Sequence, residues 1–108
     1  MEKKYLKSDI YYILTKMDKL FQIFILGINN KTSTHYISLS TKISDIYNYI
    51  KIKYNISPDN FYLIHSTKIL DNKNLSNITI NEFNLNYDNE SYKIGRDSNI
   101  RLIIRGCK

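Results

Sequence analysis

The sequence predicts an α+β domain in which one helix crosses one face of a mixed β-sheet. Two strand-forming segments, residues 21–26 and 32–37, flank a short run of turn-forming residues and predict a β-hairpin. Apolar residues then recur with a helical period at residues 43–54. Two further strand-forming segments follow, at residues 61–65 and 99–105. A hairpin, a helix and then more strands is an arrangement typical of α+β domains.

The predicted hairpin turns at residues 27–31, where glycine and two asparagines stand together. The helix that follows is predicted from apolar residues at helical spacing, namely Ile43, Ile46, Tyr47, Ile50 and Tyr54. Asp45 falls in its first turn, where a negative charge is favourable. Asn55 can take the left-handed conformation just past its end. We therefore expect about three turns of helix packed across the hairpin.

Turn signals also organise the second half of the chain. Pro58 and Asp59 predict a turn after the helix, and residues 71–74 predict another before Leu75. Residues 81–98 are polar, rich in asparagine and longer than an ordinary connection. We expect this segment to be a surface insertion within a domain that spans residues 21–108.

Residues 1–20 are predicted to form an extension ahead of that domain. Within residues 5–20, apolar side chains at helical spacing predict an amphipathic helix: Leu6, Ile10, Ile13, Leu14 and Met17. Two roles remain open for this helix. It docks on the body of the same domain, or it meets another chain and drives self-association.

Length and composition are those of one compact domain, since the chain has 108 residues and is 43% hydrophobic. The net charge is +6, but the basic residues are scattered and only three of the 16 are arginine, so we do not expect a nucleic-acid partner. The abundance of asparagine, isoleucine, lysine and tyrosine is typical of an AT-rich genome. Without a signal peptide or an apolar run of about 20 residues, we expect no membrane association.

The single cysteine, Cys107, suits a reducing compartment, and the expected location is the cytoplasm, with the nucleus as the alternative. No catalytic set is recognisable in the sequence. His35 and His65 stand alone in predicted strands, and Cys107 has no histidine near it in sequence. We therefore expect neither an enzyme nor a protein with a metal or cofactor.

Four segments resemble ubiquitin, and the range that they span, residues 21–106, is about four-fifths of the chain. Residues 21–25 resemble its first strand, 56–70 the segment after its helix, 75–80 a late turn, and 100–106 its last strand and tail. The resemblance implies the β-grasp form of the α+β class. It also implies a buried core at Ile23, Ile25, Ile37, Ile43, Ile46, Ile50, Leu63, Leu70, Leu75, Ile80, Ile100 and Leu102, while Ser33 and His35 replace aliphatic residues of the family.

The same resemblance implies a binding surface. If Leu63 and Leu102 point to the helix, alternation along a strand turns Ile64 and Ile103 to the open face of the sheet. Ile28, Ile64 and Ile103 match the hydrophobic patch of ubiquitin, and the matches to its rim are Tyr62, Thr67, Lys68 and Arg101. We therefore expect a module that binds proteins of the ubiquitin pathway without being conjugated to them.

Two alternatives accompany this expectation. Arg105 and Gly106 resemble the start of a conjugation tail, so a covalent modifier is conceivable if Cys107 and Lys108 are trimmed. The other alternative is a structural protein that oligomerises through the N-terminal helix.

Overall fold

The structure is a computed structural model that describes residues 18–105. The predicted N-terminal helix lies outside the described residues except for positions 18–20, as does Gly106 of the tail. In chain order the elements are β1 (Phe21–Ile28), β2 (Lys31–Ile37), α1 (Ile43–Tyr54), β3 (Phe61–His65), β4 (Lys68–Leu70), α2 (Ile80–Leu85) and β5 (Ser98–Ile104).

The five strands described form one sheet in the order β2-β1-β5-β3-β4. β1 and β5 pair in parallel, whereas the other three pairs are antiparallel. The predicted α+β class with a mixed sheet is confirmed.

The β1–β2 hairpin closes through a tighter turn than the sequence predicted. Asn29 and Asn30 both have positive φ, 53° and 61°, which is the conformation of a two-residue type I′ turn. Leu26 pairs with Thr32 and Ile28 with Lys31, so Gly27 is an extra residue in β1. This β-bulge reverses the alternation of side chains beyond it.

Helix α1 matches its prediction in extent and in both ends. The Asp45 carboxylate accepts a hydrogen bond from the Lys42 backbone N–H at 2.9 Å. Asn55 ends the helix at φ 57° and ψ 47°, in the left-handed region. The helix buries its apolar residues against the sheet, at Ile43, Ile46, Tyr47 and Ile50.

Tyr47 also completes the hydrogen bonding between two strands beneath the helix. Its hydroxyl donates to the Leu70 carbonyl at 2.5 Å and accepts from the Leu63 N–H at 3.0 Å. One side chain of α1 therefore satisfies a backbone acceptor on β4 and a backbone donor on β3. Both groups are buried, where an unpaired polar group is costly.

The residues expected in the core are buried, with Leu75 only partly so. The core also contains four residues that the resemblance did not include: Tyr47, Phe61, Phe83 and Ile94. Two of them, Phe83 and Ile94, belong to the segment expected to be a surface insertion.

Residues 81–98 are thus anchored in the core, although the middle of the segment is exposed. The Asn84 side chain holds the Ile94 backbone on both sides: its amide donates to the carbonyl at 2.9 Å, and its oxygen accepts from the N–H at 2.7 Å. These two bonds reproduce a strand-like pairing with a side chain. Isolated apolar residues among asparagines carry no periodic pattern, which is why sequence reasoning missed the anchors.

The close approach of the Gly27 backbone to β5 predicts the effect of Gly27→Ala. Gly27 has φ +118°, and a Cβ added to it would lie 2.5 Å from the carbonyl oxygen of Leu102. Both the clash and the unfavourable φ destabilise the variant, so its unfolding free energy should fall by about 2 kcal/mol or more. Urea-induced unfolding measures the change.

Gly95→Ala is the matched control for this substitution. A Cβ at Gly95 meets nothing within 4 Å, so the variant should unfold within about 0.5 kcal/mol of the original chain. Equal stability of the two alanine variants would contradict the close approach of β1 and β5.

Candidate functional site

The face of the sheet opposite α1 carries an apolar patch. On β1, β3 and β5 the side chains that alternate with the core residues point to this open face. Several are large, apolar and only partly buried, and Ile69 on β4 is 56% exposed. We define the open-face patch as Leu26, Tyr62, Ile64, Ile69 and Ile103 together with Arg101.

Strand register makes the patch continuous. Leu26 pairs with Arg101, Arg101 with Ile64, and Ile64 with Ile69, so one row of side chains crosses β1, β5, β3 and β4. Three strand spacings give the row a length of about 14 Å. Two residues further along β5 and β3, Ile103 pairs with Tyr62 and widens the patch on the same face.

The charges at the patch are mostly positive. Arg101 is exposed within the central row, and the guanidinium carbon of Arg105 lies 5.0 Å from the centroid of the Tyr62 ring. This distance is that of a cation–π contact. Beyond Tyr62 and Ile69, a groove of about 660 Å³ contains charged residues of both signs. These are Asp59, Asp71, Lys73 and Arg105.

The structure brings together four of the seven residues predicted to form the binding surface: Tyr62, Ile64, Arg101 and Ile103. It places Ile28 elsewhere, because the Gly27 bulge pairs Ile28 with Lys31 and its side chain packs against the core. The expectation that Ile28 joins the other two isoleucines took no account of that extra residue.

Thr67 and Lys68 also lie away from the open-face patch. The Thr67 hydroxyl donates to the Tyr92 hydroxyl at 3.4 Å. The Lys68 ammonium is 5.5 Å from the Tyr87 ring centroid and 5.2 Å from that of Tyr92. Lys68 pairs with the buried His65, so it shares the core side of the sheet. Both residues therefore hold the segment 81–98 in place.

Sequence reasoning missed Leu26 and Ile69. Leu26 was readable, because Ile23 and Ile25 were expected in the core and the next residue of β1 must then face outward. Ile69 depends on the register of a three-residue strand, for which the sequence carries only a short pattern.

The two histidines are buried beneath the sheet. Nε2 of His35 lies 2.9 Å from Ser33 Oγ and 3.3 Å from Tyr54 Oη, and the Tyr49 ring packs edge-on at 4.8 Å. Burial, and to a lesser extent the Lys53 charge, lower the pKa of His35 to about 4. Burial also lowers the pKa of His65. Both side chains are therefore neutral at pH 7 and serve packing.

Among the residues that the structure describes, no group of three or more histidine, cysteine, aspartate or glutamate side chains is placed to hold a metal ion. No helix within residues 18–105 combines the length and the apolar character needed to cross a membrane. A scan against models of known protein families finds no match to the chain. A search of curated proteins finds no match either.

Acid should destabilise the fold through His35. The unfolded side chain has a pKa of 6.5 and the folded one about 4, so between these values only the unfolded chain binds the proton. Stability is therefore lost as the pH falls from 6.5 toward 4, by up to about 3 kcal/mol. Chemical unfolding measured at pH 7 and pH 4.5 gives the loss.

His35→Leu should remove most of this loss, because leucine cannot bind a proton. His65, whose pKa is also lowered by burial, contributes to the remaining slope in the same direction. An equal loss of stability in His35→Leu and in the original chain would show that His35 does not carry the acid sensitivity.

Proposed function

We propose that this chain is a ubiquitin-like module of the β-grasp class that binds proteins of the ubiquitin pathway without being conjugated to them. The order of elements supports the class: a hairpin, a crossing helix, and then three strands, with the first and last strands parallel in the middle of the sheet. The resemblance of residues 56–70 and 100–106 to ubiquitin supports the same assignment.

The observation that carries the binding proposal is the open-face patch. A sheet that has one covered face and one solvated face normally carries polar side chains on the solvated one. Here the core beneath α1 already contains fifteen buried apolar residues, yet the opposite face presents a further row of apolar side chains. Neighbouring apolar side chains on a surface mark contact sites for other proteins.

The dimensions and charge of the patch favour a short amphipathic helix as its partner. Its central row is about 14 Å long, which corresponds to about nine residues of α-helix. Arg101 interrupts that row, and Arg105 borders the patch at Tyr62. A matching helix would place apolar residues over Ile64 and Ile103 and a carboxylate beside Arg101. Small helical ubiquitin-binding domains have this chemistry.

The proposal predicts that Ile64→Ala weakens binding to a helical ubiquitin-binding domain. Ile64 lies at the centre of the patch, where truncation of an apolar contact typically removes 1–2 kcal/mol, so Kd should rise about tenfold. Isothermal titration calorimetry with a panel of such domains measures it. Arg101→Glu should weaken binding as well, because it repels the partner's carboxylate.

Ile52→Ala is the matched control, since Ile52 is 72% exposed but lies on α1, on the other side of the sheet. It should leave Kd unchanged. The proposal fails if every domain that binds the original chain binds Ile64→Ala with the same affinity.

A further inference from the structure

A second apolar surface lies at the start of β1. It is a groove of about 510 Å³, within the range of pockets that bind ligands. Its walls come from the start of β1, the end of β2 and the loop before β5. The lining residues used below are Leu20, Phe21, Tyr36, Leu39, Gly95 and Arg96. Leu20 is 64% exposed and Tyr36 is 62% exposed.

This groove lies at the opposite end of β5 from Ile103, although Tyr36 shares the open face, since it alternates with the buried His35 and Ile37. Phe21 pairs with Ile37, and the neighbouring Ile23 pairs with Ser98, the first residue of β5. Ile103 lies five residues further along β5, about 16 Å away at the rise of a strand. An occupant of the groove can therefore leave Ile103 uncovered, and also Ile64, which lies two strands away from β1.

The chain enters the described structure beside this groove. Asp18 accepts a hydrogen bond from the Ser40 hydroxyl at 3.1 Å, which fixes the entry point next to Leu39. Only positions 18–20 separate the preceding segment from β1, and three residues span at most about 10 Å. The residues that directly precede Asp18 in the chain are therefore within reach of the groove.

We infer that the groove is the docking site of the chain's own N-terminal segment. The occupant is the apolar stripe predicted for residues 5–20, with Ile13 and Met17 entering the groove and Ile10 continuing the contact. These residues are spaced to share one helix face, and they meet the exposed apolar side chains of Leu20 and Tyr36. Docking here selects the same-domain role for the helix and leaves Ile64 and Ile103 free. The inference does not depend on the proposed function.

The test compares Ile13→Asp with Thr15→Asp in the full chain, by amide NMR. Both substitutions add one negative charge to the same predicted helix, but position 13 belongs to the apolar stripe and position 15 to the opposite face. Ile13→Asp should shift the amide signals of Tyr36, Leu39 and Gly95, because it expels the segment. Thr15→Asp should leave them in place, and neither should move Ile64 or Ile103.

Tyr36→Lys provides the reciprocal test from the groove side, and it should shift the amide signals of Ile13 and Met17. If the amide signals of Tyr36, Leu39 and Gly95 do not change in Ile13→Asp, the inference is overturned. Shifts at Ile64 and Ile103 instead would mean that the segment covers the open-face patch, which also overturns it. Groove signals that change on dilution of the original chain would make a second copy the occupant and would likewise overturn docking within one chain.

Discussion

The parallel pairing of β1 with β5 is the constraint on which the rest of the structure depends. It joins the first and last described strands in the middle of the sheet. Because Gly27 has no Cβ, the Leu102 carbonyl can lie close to the β1 backbone. The same register places Ile25 beside Ile100 in the core and Leu26 beside Arg101 on the open face. Core and candidate surface are therefore two consequences of one alignment.

Helix α1 and the segment 81–98 complete the covered face in different ways. The helix contributes apolar bulk and the Tyr47 hydroxyl, which satisfies backbone groups of β3 and β4 at once. The segment contributes Phe83 and Ile94, held together by the Asn84 side chain. Because these elements fill the covered face, the apolar residues of the open face have no role in the described core.

Local patterns allowed much of the fold to be predicted from the sequence. The ends of α1 follow from Asp45 and Asn55, and the hairpin turn follows from adjacent asparagines. The outward orientation of Ile64 and Ile103 could be predicted from the alternation of side chains along a strand. The position of Ile28 could not, because a bulge depends on how β1 meets its neighbours. The contacts of Lys68 likewise depend on tyrosines about 20 residues away, beyond the reach of any local pattern.

The most direct test of the open face as the binding surface is amide NMR mapping on the original full chain, titrated with a small helical ubiquitin-binding domain. If the open face binds this partner, the largest shifts should fall on the patch residues of four adjacent strands: Leu26, Tyr62, Ile64, Ile69, Arg101 and Ile103. Amides of α1, such as that of Ile52, should remain unmoved. Shifts concentrated on α1 or on residues 87–92, with no change in the amide signals of the open face, would contradict the assignment of the open face as the binding surface.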